Sequence, residues 1–139
     1  MTEISKAKFR FEKYLIEKTT IEITDIPNAA NIVFGFSPSG TLDKTKKLFQ
    51  LKLGTQIFDE KKSFNITVNA SAEFIFEDIE DENLLHNFLY KNAPAILFPY
   101  IRAYIASLSA LSGIPAILLP TINMSSLTEE LKTNTKIIE

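Results

Sequence analysis

Residues 92–124 read NAPAILFPYIRAYIASLSALSGIPAILLPTINM, and the fold turns on whether this stretch crosses a membrane or lies in a core. It carries a single charge, Arg102. A charge at the centre of a bilayer costs roughly 2.5 kcal/mol or more. Pro94, Pro99, Gly113, Pro115 and Pro120 break the stretch, and the longest uninterrupted run, residues 100–112, falls short of the ~20 residues that a span needs. The pattern therefore predicts a buried helix followed by an apolar, proline-bounded loop. Pro94 and Pro99 suit a helix start and Ser112-Gly113 its end.

The predicted helix has two faces. Ile101, Tyr104, Ile105, Leu108 and Leu111 form an apolar stripe at helical spacing. Ala103, Ala106, Ser107 and Ala110 form a second face of small, uncharged residues. On an amphipathic helix that face would be charged, so we expect it to meet another subunit. The loop after the helix holds Ile114, Ile117, Leu118, Leu119 and Ile122. Loops run over the surface, so this one should expose apolar groups or lie beneath a partner. Its alternative is plain core, with Ile117, Leu119 and Ile122 folded back under a sheet.

Upstream, the chain reads as strands. Residues 64–76 place Phe64, Ile66, Val68, Ala70, Ala72, Phe74 and Phe76 on one face, with Asn65 and Thr67 opposite, a period of two that marks a half-buried strand. A sheet with one polar face is usually antiparallel. Residues 46–59 repeat the pattern with Phe49, Leu51, Leu53 and Ile57. In residues 8–26 the apolar phase changes twice, from Phe9 and Phe11 to Tyr14 and Ile16, then to Ile21 and Ile23, which predicts two bulges in one long strand. Residues 31–42, with Phe34, Phe36 and Ser37-Pro38-Ser39-Gly40, read as a crossover and a short second strand. Ser126 and Glu129 have the spacing of a capping box before a short helix containing Leu127 and Leu131. The ends, residues 1–7 and 133–139, read as frayed. All 139 residues fit a single domain.

Chemistry is sparse. Net charge is −2 and no basic cluster suggests a nucleic-acid surface. There is no cysteine, no phosphate-binding glycine loop and no metal-ligand spacing. His86 is the only histidine, and general acid–base work needs positioned partners that the sequence does not identify. Neither enzyme activity nor a cofactor or metal is expected. Arg102 should pair with a carboxylate or cap carbonyls, because a buried charge needs partners. The acidic run Glu77, Asp78, Glu80, Asp81 and Glu82 suits a helix start; its other reading is a docking patch for a basic partner. The N-terminus lacks the apolar core of a signal peptide, so a cytoplasmic location is expected.

Ile96-Leu97-Phe98-Pro99-Tyr100, followed by Arg102, Ile105 and Ser107, resembles the SecB family of protein-export chaperones. Pro27-Asn28-Ala29 matches that family's turn after its first strand. The resemblance spans about residues 9–127 and is strongest over 92–108. It implies an α+β domain, a four-stranded antiparallel sheet with helices on one face, assembled as a dimer-of-dimers homotetramer in the bacterial cytoplasm. It also implies ATP-independent holding of unfolded or preprotein clients, linked to protein export. The client groove it implies is lined by Phe34, Phe36, Ile114, Ile117, Leu119, Ile122 and Met124. The oligomer interface would be Ala103, Ala106, Ser107 and Ala110. Two departures weaken the tie to a SecA-type motor: Asn65 and Thr67 stand where the family offers acidic groups on the sheet, and the acidic C-terminal tail is missing. A dedicated chaperone of an antitoxin or other single client is one alternative. A small α+β ligand-binding protein or enzyme with an apolar pocket is another.

Overall fold

The structure, a computed structural model, describes residues 1–3, 7–27 and 31–139. Asn28 and Ala29 of the turn noted above lie outside them, as do residues 4–6 of the N-terminal end. Four long strands come first: β1 Phe9–Ile23, β2 Ile32–Asp43, β3 Leu48–Asp59 and β4 Phe64–Phe76. Helices α1 Glu82–His86 and α2 Ala93–Leu111 follow, joined by a π-helical turn, Asn87–Asn92. A 3₁₀ turn Met124–Leu127, helix α3 Thr128–Thr133 and strand β5 Thr135–Ile138 complete the chain.

The sheet has five strands in the order β1-β4-β3-β2-β5 and is mixed, not four-stranded and antiparallel as expected. β5 pairs parallel to β2, Gly40 opposite Thr135 through Asp43 opposite Ile138. The supposedly frayed C-terminal end is thus part of the sheet, although four residues of parallel strand leave no alternation to read. β2 is likewise a full strand. Its pairing with β3 runs unbroken from Ile32–Asp59 to Asp43–Leu48. Ser37-Pro38-Ser39-Gly40 resembles a turn, but Pro38 sits where its carbonyl points away from β3 and accepts from Asn134 Nδ2 at 3.3 Å. Its missing N–H lies on the same outward side, so no ladder bond to β3 is lost. Gly40 is required by close approach: a Cβ there would come within 2.9 Å of the Phe49 ring.

The period of two in β4 holds throughout. All seven even-numbered residues from Phe64 to Phe76 are buried. They meet Phe49, Leu51, Leu53 and Ile57 of β3, each in register. The two predicted bulges in β1 exist, at Glu12 between Phe11 and Lys13, and at Glu17 between Ile16 and Lys18. They keep Phe11, Tyr14, Ile16 and Ile21 opposite the buried positions Phe74, Ala72, Ala70 and Ile66. The small Ala70 and Ala72 leave room for α2, which packs against β1, β3 and β4. Phe9 stacks on Phe74 at 5.0 Å and on Phe88 at 5.3 Å, joining β1, β4 and the π-turn.

The helical run Glu82–Leu111 is long and apolar enough, by length and composition alone, to cross a membrane. Here Leu89, Leu97, Ile101 and Ile105 are fully buried against the sheet. The run begins at the acidic residues, as their helix-start reading had it, capped by the Asp81 carboxylate, which accepts from the N–H groups of Asn83 and Leu84. Pro94 stands in the first turn of α2, as expected, whereas Pro99 lies inside the helix rather than at its start. Pro94 comes two residues after the π-turn ends at Asn92, where the regular ladder is already interrupted. Ser112 ends the helix and Gly113 follows with φ +90, as expected. Leu111 does not join the stripe; it is 88% exposed. The Ser126–Glu129 capping box does not form. Asn123 caps the 3₁₀ turn instead, its side chain accepting from Ser125 N.

Candidate functional site

The strongest candidate site is an apolar surface where β2, α2 and the connecting segment, residues 113–123, converge. Phe34 and Phe36 lie two apart on β2 and therefore share a face. Their rings are 6.1 Å apart, and Phe36 meets Phe98 of α2 edge-on at 5.8 Å. Phe98 continues into a cleft of about 210 Å³ that Ala95, Pro99, Arg102, Thr121, Ile122 and Met124 also line. The crossover phenylalanines and the far end of the connecting segment, separate in sequence, thus belong to one surface, joined from beneath by Phe98, which is 6% exposed. Phe98 had been legible only as part of the helix entry.

The structure divides the candidate groove residues. Phe34, Phe36, Ile114 and Ile122 are half-buried and packed on the edge of the core. Ile117, Leu119 and Met124 belong to the core itself, 4%, 1% and 3% exposed. Ile117 and Leu119 therefore follow the plain-core alternative and not the exposed-loop reading, while Met124, though buried, still borders the cleft. The side chain that points outward is Leu118, 69% exposed.

Two polar side chains of α2 hold the connecting segment in this arrangement. Arg102 Nε donates to the Leu119 carbonyl at 2.6 Å. Seven residues further on, the buried Ser109 hydroxyl donates to the Ile105 carbonyl at 2.8 Å and accepts from Ile117 N at 2.8 Å. The bonds to the Leu119 carbonyl and from the Ile117 N–H satisfy backbone groups that a proline-bounded, inward-facing loop would otherwise strand. Arg102 therefore caps a carbonyl, as one of its two readings had it, although its residue remains exposed. Ser109 was not singled out from the sequence. A serine four residues after Ile105, on the buried side of the helix, carries no signal until the segment opposite it is placed.

The remaining candidates lie elsewhere. Ala103, Ser107 and Ala110 are exposed and Ala106 half-buried, on the side of α2 away from the sheet. In the acidic run, Asp81 caps α1. Glu77 pairs with Arg10 at 3.3 Å and Asp78 with Lys47 at 2.8 Å. Glu82 lies 3.7 Å from His86, whose ring abuts Tyr90. His86 is therefore on a helix surface and not in a closed pocket. Among the described residues, no group of three His, Cys, Asp or Glu side chains could hold a metal. On the polar face of the sheet, Asn65 bonds to Gln56 at 3.2 Å, and Thr67 bonds to Thr20.

Comparison with known proteins adds three findings. The family described as preprotein translocase subunit SecB matches residues 41–134. Among curated proteins, an uncharacterised protein of Methanocaldococcus jannaschii is 40% identical over 49% of this chain and 46% of its own length. The protein-export protein SecB of Anaplasma marginale is 23% identical over 81% of this chain and 66% of its own length. That of Alkalilimnicola ehrlichii is 27% identical over 92% and 72%. The chain thus spans between about half and two thirds of the length of the first two. Among solved structures, the fold matches the SecB-like chaperone of Mycobacterium tuberculosis in complex with a ChAD peptide from the HigA1 antitoxin. The TM-score is 0.69 at 18% identity, covering 83% of this chain and 88% of that one.

Proposed function

Because this chain belongs to the SecB family, we propose that it is an ATP-independent chaperone that holds unfolded polypeptides on the surface formed by Phe34, Phe36, Phe98 and the adjoining cleft. The observation that carries this reading is the aromatic row of β2 and α2, continuous with a cleft edged by Ile122. A client must be unfolded to offer enough apolar side chains to such a surface. Each aliphatic side chain it buries contributes about 1–2 kcal/mol. Many such contacts give affinity without sequence preference, and aromatic and Met side chains suit that use. In this reading Ile114 and Ile122 line the groove, Met124 forms part of its floor, and Ile117 and Leu119 support it from beneath.

The assembly in this reading is a homotetramer built as a dimer of dimers. The uncharged outward face of α2, with Ala103, Ala106, Ser107 and Ala110, meets a second copy. The curated relatives named as protein-export proteins support a link to export, and a cytoplasmic place of work belongs to the same reading. Docking to a SecA-type motor is expected to be weak, because the polar sheet face is neutral at Asn65 and Thr67. What docking remains would run through residues 77–82 and weaken with salt. A dedicated client is the second reading, favoured by the mycobacterial neighbour, which is described as holding an antitoxin peptide.

The test is suppression of aggregation of a chemically denatured protein, with native mass measured in parallel. Suppression that Phe36→Ser abolishes in a folded, assembled variant supports the reading. Suppression that is absent in the wild type overturns it.

A further inference from the structure

The outer edge of β2 is only half covered. β5 pairs with residues 40–43, where even-numbered residues turn their N–H and C=O groups outward, as the bond from Gly40 N to the Asn134 carbonyl shows. Pro38 closes the junction: it has no N–H, and its carbonyl is taken by Asn134. By the same alternation, Ile32, Phe34 and Phe36 turn their backbone groups to this side. Among the described residues, no hydrogen bond reaches those groups from beyond the sheet. Exposed strand edges of this kind are templates for further pairing and are normally blunted. Here Pro38 and β5 blunt one half and leave the other open.

We propose that the free edge over residues 32–36 takes an extended segment of the client as an added strand, in line with β5. This rests on the client-holding reading above and states how the client is gripped. Three observations select this occupant. A row of alternating donors and acceptors is complemented by extended polypeptide backbone. A segment of this same chain, β5, already occupies the adjacent part of the same edge. The edge is also open toward the polar face, where Gly35, Phe36 and Ser37 border a second cleft and nothing lies within 4 Å of a Cβ at Gly35. An added strand would place alternate side chains beside Phe34 and Phe36, which have the same two-residue spacing. Backbone bonds then supply affinity that does not depend on client sequence, and the aromatic row selects segments of alternating apolar character.

The probe is a synthetic peptide alternating Leu and Ser, made unmodified and in two versions N-methylated at alternate residues of either parity. Both versions keep every side chain. A strand presents the amides of one parity to β2 and those of the other to solvent, so one version should lose roughly tenfold or more in affinity and the other little. In the unmodified complex, hydrogen exchange at the Phe34 and Phe36 amides should slow. Equal affinity of both versions, with those two amides still unprotected, would leave a groove gripped by side chains and overturn strand addition alone. No binding of any peptide, together with no suppression of client aggregation, would overturn the client reading as well. Protection of Phe34 and Phe36 that rises with protein concentration, without peptide, would assign the edge to a second copy and also overturn the proposal.

Discussion

The guanidinium Nε of Arg102 donates to the backbone carbonyl of Leu119 at 2.6 Å, across a gap of 17 residues. That contact fixes the direction in which the connecting segment faces. With the Leu119 carbonyl turned to Arg102, its side chain enters the core and Leu118 is left outside.

The second tie gives a prediction. Ser109→Ala removes the acceptor for the buried Ile117 N–H. Leaving such a group unpaired costs about 1–3 kcal/mol. Urea unfolding should show that loss, and the Ile117 amide should exchange faster. Unchanged stability and exchange would mean that this N–H finds water instead.

The two kinds of groove residue should separate by experiment. Leu119→Ala empties a fully buried position and should cost about 2–5 kcal/mol of stability. Phe36→Ser changes a half-buried position and should cost less, yet it should weaken client holding markedly. The check is to set unfolding free energies beside aggregation suppression for both variants. A Phe36→Ser protein that holds clients as well as the wild type would remove the aromatic row from the site.

Assembly can be tested through α2. Ala110→Glu introduces a charge with no basic residue within a turn of it on α2, and burial of an unpaired charge at an interface costs several kcal/mol. Light scattering should show the oligomer split, with circular dichroism unchanged. A wild-type protein that is already monomeric would contradict the assembly.

One prediction concerns alkaline pH. Burial pushes the Tyr90 phenol above its ordinary value. The folded state therefore keeps this proton to higher pH than the unfolded chain does. The associated stability is complete below about pH 10 and is lost as pH rises through the folded value. Tyr90→Phe should lessen the fall in unfolding free energy above about pH 10. An equally steep fall in that variant would place its origin in other groups.

Much of the sheet was legible because its signals are local. The seven-fold alternation of β4 and the two phase changes of β1 need no knowledge of neighbours, and neither does Gly113 after Ser112. What escaped depends on distant parts of the chain. Pro38 reads as a turn until Asn134 is seen to take its carbonyl. β5 has too few residues to show a period and exists because β2 offers an edge. The burial of Ile117 and Leu119 is decided by Ser109 and Arg102, whose spacing on α2 means nothing until the segment crosses them. Within the candidate site, Phe34, Phe36 and Ile122 could be named from composition and family resemblance. Their junction through Phe98 could not, since that ring also fits an ordinary helix entry.

The bulges of β1 bear on how this chain can change in length. Its 15 residues lie against the 13 of β4, and the surplus is accounted for by Glu12 and Glu17. Deleting one residue from a regular strand reverses the facing of everything on one side of the cut. Deleting Glu12 would instead make Phe11 and Lys13 ordinary neighbours, still opposite Phe74 and Glu73. The same holds for Glu17, between Ile16 and Lys18. At these two positions a codon can be lost while every apolar side chain keeps its place, so relatives of this protein can differ there in length without differing in core.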